Sequence, residues 1–239
     1  MKTNLLDIRH ADCMDMMREF PDKHFDLAIV DPPYGIEWGG EVSSMALAGA
    51  PERWRNKKLK GYERKDWDAE PPPPEYFKEL LRVCKKAIIW GGNYFTQHLP
   101  ASGGWVVWDK MKPEDWSLSQ AELAWISGSG RVAIFKFLWH GFQKQEQEDR
   151  IHPTQKPVAL YRWLLANYAK PGDTILDTHL GSGSSAIACH YAGHHLTACE
   201  LDADYYKDAC ERIDRETRQQ TLFPTANKEE TYETAALAI

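Results

Sequence analysis

The chain has 239 residues and a net charge of −6, and its five cysteines (Cys13, Cys84, Cys189, Cys199, Cys210) form no C-x-x-C pair. That length suits one large α/β domain with a small appendage. The lack of a ~20-residue apolar run or a signal-peptide pattern argues against a membrane-spanning or secreted protein, and scattered thiols point to a reduced, cytoplasmic setting rather than disulfides or a zinc site. Net acidity excludes nucleic-acid binding over the whole surface but leaves room for a local basic site.

In chain order, Leu5 to His10 reads as a short strand and Met14 to Phe20 as a short helix. Phe25 to Val30 is an apolar run that reads as a buried strand. Residues 36–73 form a long insertion, and Glu75 to Cys84 has helical spacing. Ala87 to Trp90, Trp105 to Asp109, Glu122 to Ile126 and Val132 to Trp139 read as strands, and Gln143 to Arg150 as a polar surface loop. Val158 to Tyr168 is a helix opened by Pro157. A strand (Thr174 to Asp177), a helix (Ser184 to Tyr191), a strand (Leu196 to Cys199) and a helix (Ala203 to Arg218) follow. Strand–helix alternation at both ends predicts a mainly parallel, doubly wound sheet, and the short connections between the middle strands predict antiparallel hairpins at one sheet edge.

The most informative residues are Asp31, Pro32, Pro33 and Tyr34, which follow a strand directly. Open α/β sheets bind ligands at the carboxyl ends of their strands. The prolines fix φ and carry no N–H, and a residue before proline is pushed into extended backbone. The Asp31 carboxylate and the Pro32 carbonyl can then both accept from a substrate amino group, while the Tyr34 ring offers a stacking surface. A second site is a strand, glycine-rich turn and helix start that includes Asp177, His179, Gly181, Ser182, Gly183 and Ser184. Such turns let a ligand approach the backbone closely, and the helix N-terminus favours negative charge. The third glycine of a dinucleotide fingerprint is missing. Glu200, followed by Leu201 and Asp202, ends the next strand, a common place for an acid that holds ribose hydroxyls. His152, Thr154, Gln155 and Lys156 gather hydrogen-bonding groups before a helix. Arg53, Arg55, Lys57, Lys58, Lys60, Arg64 and Lys65, interleaved with Trp54 and Tyr62, form a basic stretch suited to phosphate contacts.

Taken together, these segments resemble the β-class amino-group (N6-adenine/N4-cytosine) DNA methyltransferases. DPPY resembles their catalytic motif, ILDTHLGSGS their glycine-rich cofactor motif, TACELD their ribose-binding motif, and HPTQKP the segment that contacts the methionine part of the cofactor. Asp12 and Cys13 resemble the segment that contacts the cofactor's adenine. The order, catalytic motif first and glycine motif last, is that of the β class. The stretches AIIWGGNYF, WVVWDK and RIHPTQKPVAL are similar to small bacteriophage or prophage adenine-specific methylases. Thr178 and His179 stand where the family commonly has Pro-Phe.

The resemblance implies a Rossmann-like S-adenosylmethionine-dependent methyltransferase fold over residues 1–218, with 36–73 as a DNA-contacting loop, 127–150 as a reduced target-recognition segment, and 219–239 as a flexible tail. It implies methyl transfer from S-adenosyl-L-methionine to a flipped base in double-stranded DNA, with Tyr34 stacking on that base. An Asp-headed motif goes more often with adenine N6, a Ser-headed one with cytosine N4. The alternatives are a cytosine-N4 enzyme, an RNA or protein amide methylator, and a non-catalytic DNA-binding protein that keeps the fold. β-class relatives are often dimers, which implies a homodimer. In the tail, Gln219, Leu222 and Phe223 resemble the peptide that binds the bacterial sliding clamp.

Overall fold

The computed structural model describes residues 1–36, 68, 70–112, 119–128, 130–140, 143–144, 151–152 and 154–218. The basic stretch 53–65 and the tail segment 219–223 lie outside the described residues, as does part of the 127–150 segment.

The chain runs β1 (Leu6–His10), α1 (Cys13–Arg18), β2 (Phe25–Val30), α2 (Pro74–Val83), β3 (Cys84–Trp90), β4 (Gly104–Asp109), β5 (Ala121–Ile126), β6 (Val132–Lys136), β7 (Trp139–His140), β8 (Gln143–Lys144), α3 (Val158–Tyr168), β9 (Thr174–Asp177), α4 (Ser184–Ala192), β10 (His195–Glu200) and α5 (Ala203–Thr217). One eight-stranded sheet has the order β1-β10-β9-β2-β3-β5-β4-β6. Strands β1, β10, β9, β2 and β3 are mutually parallel. β5 runs antiparallel to both neighbours. This is the doubly wound, Rossmann-like α/β architecture expected from the strand–helix alternation.

Period-two side-chain alternation splits the core between the sheet's two faces. Leu27, Ile29, Ile88 and Trp90 join Leu160, Leu164, Ile187 and Ile213 of α3, α4 and α5. Ala28, Val30, Ala87 and Ile89 join Met16, Met17, Tyr76, Phe77 and Leu80 of α1 and α2. Helix α2 starts where Pro74 suits a first turn, and its buried face is Tyr76, Phe77, Leu80 and Val83. It passes into β3 without a loop, since Cys84 is both the cap of the helix and the first residue of the strand.

Three expectations need correction. Val132 to Trp139 is not one strand: the sheet strand β6 stops at Lys136, and Trp139–His140 pair with Gln143–Lys144 in a separate ribbon. Part of the expected surface loop 143–150 is therefore strand. β6 is also not the arm of an antiparallel hairpin. It lies parallel to β4, on the side away from β5, so the β5–β6 connection must pass the start of β4. Two glycines allow that passage: a Cβ on Gly130 would sit 2.9 Å from the Gly104 Cα. Finally, Pro157 is the cap of α3 rather than its first residue, with φ −70° and ψ 148°. Among the described residues no helix is long and apolar enough to cross a membrane.

Candidate active site

β9 leads through α4 to β10 on one side, while β2 leads to β3 on the other, so strand order reverses between β9 and β2. A crevice is expected at the carboxyl ends of those strands. Asp177 ends β9 and Asp31 follows β2, so the two motifs converge there.

Around Asp31, Pro32 and Pro33 offer no backbone donors, and side chains hold the turn instead. The Tyr34 hydroxyl donates to Asp31 Oδ1 at 2.7 Å. Lys156 Nζ donates to Asp31 Oδ2 at 2.5 Å and lies 3.3 Å from the Tyr34 hydroxyl. Lys156 is itself buried, and Glu122 Oε2 on β5 lies 3.1 Å from its ammonium. Lys110 pairs with the other oxygen of Glu122. A row of alternating charge results, Asp31–Lys156–Glu122–Lys110, buried at Lys156 and partly buried at the other three. Burial raises the Asp31 carboxyl above its usual range, with Lys156 pulling against that. Burial disfavours the Lys156 ammonium, but the two carboxylates outweigh it and hold its pKa above normal. Burial likewise opposes ionised Glu122, and Lys156 and Lys110 overcome it, leaving its pKa at about 2.

The Tyr34 ring has a tight seat. Gly91, at φ +70°, lies so close that a Cβ there would be 2.3 Å from the ring. Tyr94, partly exposed, stacks on Tyr34 with centroids 5.1 Å apart and planes 19° apart.

Across the crevice, Glu200 ties the glycine turn down. Its Oε2 accepts from the Gly181 N–H at 2.9 Å and its Oε1 from the Asp202 N–H at 3.0 Å. Each oxygen of a carboxylate has two acceptor sites, so both keep capacity for a further donor. Asp177 is buried, accepts from the Ser185 hydroxyl at 2.5 Å and from the His179 N–H at 3.1 Å, and is lifted by burial to about 7. Ser182 and Ser184 face each other at 3.1 Å, and buried Arg212 of α5 donates to the Ser182 carbonyl and the Ser184 hydroxyl, both at 2.9 Å. The Thr178–His179 departure has local partners: His179 Nδ1 is 2.9 Å from Thr178 Oγ1, which is 2.7 Å from the Tyr76 hydroxyl. The Tyr76 ring meets the His179 imidazole edge to face, and burial lowers the imidazole to about 4, keeping it neutral.

Other residues singled out in the sequence have structural partners. Asp12 caps α1 through the N–H groups of Met14 and Asp15, and Asp202 caps α5 through those of Asp204 and Tyr205. Burial pushes the Cys13 thiol up to about 12, so it stays protonated. Leu201 is exposed and its carbonyl lies 3.0 Å from His10 Nε2. In the turn before α3, the Gln155 side-chain oxygen accepts from the Ile151 N–H, its carbonyl accepts from the Trp139 indole N–H, Thr154 Oγ1 lies 3.1 Å from His152 Nδ1, and the His152 ring packs on Tyr205. Lys156 alone of these four side chains is shown at Asp31.

Sequence reading missed Glu122, Tyr94, Tyr76 and Asp68. Glu122 and Tyr76 read as ordinary members of a strand and a helix, and nothing local marks them. The one available signal was the pair Lys110 and Glu122 at facing ends of two adjacent apolar strands.

The fold is that of α/β DNA methyltransferases of known structure. Residues 106–211 match the DNA methylase family that joins the N6 and N4 enzymes, a stretch that takes in Glu122, Lys156 and the glycine turn but not Asp31. The Escherichia coli (strain K12) protein YubD, which bears a methylase name, is 26% identical over 213 residues, covering 85% of this chain and 88% of YubD. Among solved structures, the M1.HpyAVI–SAM complex is 18% identical with a TM-score of 0.53, covering 87% of this chain and all of that one. The cytosine-N4-specific PvuII DNA methyltransferase is 11% identical with a TM-score of 0.58, covering 91% and 93%. Over residues 106–211 the chain is thus similar to the amino-group DNA methyltransferases, a family that takes in both N6-adenine and N4-cytosine enzymes.

Proposed function

We propose that the chain transfers a methyl group from S-adenosyl-L-methionine to the exocyclic N6 of a flipped adenine in duplex DNA. The observation that carries this is the Asp31 carboxylate, held at the end of β2 by Tyr34 and Lys156, beside a glycine turn clamped by Glu200.

The residues present fit the cofactor. Glu200 retains acceptor capacity suited to two ribose hydroxyls, and buried Asp177 is a carboxyl suited to an ammonium group. When bound, S-adenosylmethionine supplies an electrophilic methyl on a cationic sulfur.

An exocyclic amine is a weak nucleophile because its lone pair is delocalised into the ring. Asp31 and the Pro32 carbonyl would accept its two N–H groups, favour a pyramidal nitrogen and aim its lone pair. Both oxygens of Asp31 are already engaged, but each keeps an acceptor site. Around Lys156, two carboxylates face one ammonium. With Lys110 neutralising Glu122 and Lys156 shared between the two acids, the group nearest the amine is the Asp31 carboxylate itself, which favours the positive charge that develops on nitrogen. Positioning and preorganised charge do the work. The aspartate at the head of the motif favours adenine over cytosine. The basic residues 53–65 would contact phosphate.

The test is methyl transfer to unmodified duplex DNA, read by nucleoside mass spectrometry, with Asp31→Ala alongside. N6-methyladenine from the wild type, and a loss of about 10²–10³ or more in the variant with cofactor binding kept, is the expected result. N4-methylcytosine would change the base, and near-wild-type turnover by Asp31→Ala would sink the mechanism.

A further inference from the structure

The turn after β2 has an unusual backbone problem. Pro32 and Pro33 donate nothing, so the first N–H groups after that of Asp31 belong to Tyr34 and Gly35. Both have left the sheet, and a partly buried N–H without an acceptor is costly. One atom takes both. Asp68 Oδ1 accepts from the Tyr34 N–H at 2.6 Å and from the Gly35 N–H at 3.1 Å. Asp68 is 2% exposed. The approach is reinforced from the next residues. Gly35, at φ +71°, packs so closely that a Cβ there would lie 2.5 Å from Pro71 Cδ, which keeps the returning chain against the turn.

We propose that Asp68 is a positioning residue for Asp31 and Tyr34: it fixes the backbone of the DPPY turn so that the Tyr34 hydroxyl stays on the Asp31 carboxylate. Tyr34 is held at two ends, its hydroxyl by Asp31 and its N–H by Asp68. With the second hold removed, the Tyr34 backbone can rotate and the 2.7 Å bond to Asp31 loses its fixed geometry. Asp68 touches neither reacting atom in this scheme. Its role rests on the amine-methylating function proposed for Asp31, but its hold on the turn does not.

The test compares Asp68→Ala with Asp68→Asn in the full chain, since an asparagine oxygen can accept the same two N–H groups. Three quantities are read: hydrogen exchange of the Tyr34 and Gly35 amides, affinity for S-adenosylmethionine, and turnover on unmodified duplex DNA. In Asp68→Ala, the two amides should lose protection and kcat should fall about tenfold or more, with cofactor affinity within about threefold of wild type. Asp68→Asn should recover both protection and turnover. Wild-type turnover in Asp68→Ala overturns the proposal. So does an equal loss in both variants, or a parallel loss of cofactor binding and thermal stability in Asp68→Ala, because either outcome reports something other than this acceptor. If the wild type methylates no DNA, the function assigned to Asp31 fails on its own. Amide protection then still decides whether Asp68 holds the turn, and unchanged exchange in Asp68→Ala overturns that too.

Discussion

Lys156 stands between Asp31 and Glu122, 2.5 Å from one carboxylate and 3.1 Å from the other, although the three come from the end of β2, the turn before α3, and β5. A buried ammonium between two partly buried carboxylates is tolerable only as a set. Removing the central member is therefore more damaging than removing an exposed pair.

Lys156→Met keeps length and removes charge. Asp31 would then lose its ion-pair partner while Glu122 keeps only Lys110, and loss of a buried partner typically costs about 3–5 kcal/mol, less where the charges left behind are partly exposed. The denaturation midpoint should drop accordingly. The Asp31 carboxyl, already raised by burial, should rise further without Lys156. The acid limb of the pH dependence of kcat/KM should move to higher pH, and an unmoved limb would argue that Lys156 does not set the charge of Asp31.

Asp177 offers a test by pH. Its folded-state value of about 7, against an ordinary 3.8, comes from burial first. The folded state thus keeps a proton that the unfolded chain releases. The contribution is complete below about pH 4 and is lost as pH rises through 7. Asp177→Asn cannot ionise, so its Tm relative to wild type should increase from pH 5 to pH 8. A constant difference across that range would contradict the burial of an ionisable group there.

His179 has the opposite sign. Burial lowers it from 6.5 to about 4, so the folded state holds fewer protons than the unfolded chain. Its contribution is present above about pH 6.5 and is lost as pH falls toward 4. His179→Phe should gain stability relative to wild type at pH 5, on the order of 2 kcal/mol, and lose that advantage at pH 8. Calorimetry at the two pH values measures it.

Gly91→Ala joins a positive φ to a close approach. The new Cβ would press on the Tyr34 ring at 2.3 Å, and that ring is fixed by its bond to Asp31. A cost of about 1–3 kcal/mol is expected, with Tyr34 displaced and turnover reduced. Urea denaturation and single-turnover rates would show both effects, and an unaffected rate would mean that the Tyr34 seat can move freely.

Elements were legible in the sequence where pattern and punctuation coincide. β2, α3 and β9 appear with the predicted limits because apolar runs end at Asp31-Pro32, begin after Pro157, or follow Pro171-Gly172. β6 was misjudged because Phe135, Phe137 and Trp139 continue one apolar rhythm through two elements, and local rhythm does not say which strand is the partner. In the site, the positions of Asp31, Gly181 and Glu200 follow from strand ends, which sequence can locate. Glu122 and Asp68 become meaningful only when distant segments meet. An acid at the start of a strand looks like many others until Lys156 arrives beside it, and Asp68 depends on a turn more than thirty residues earlier in the chain.

The passage of the β5–β6 connection over the Gly104–Gly130 contact also puts β6 on the rim of the sheet. Among the described residues β6 is joined to the sheet through β4, at one end of the strand order. It is an edge strand, with Val132 and Ile134 58% and 60% exposed, and such elements open at low cost. Thermal or mechanical stress would act early on this strand. The bonds from Lys156 to Asp31 and from Glu200 to Gly181 involve no residue of β6, so the molecule can fray at its rim while its chemistry stays assembled.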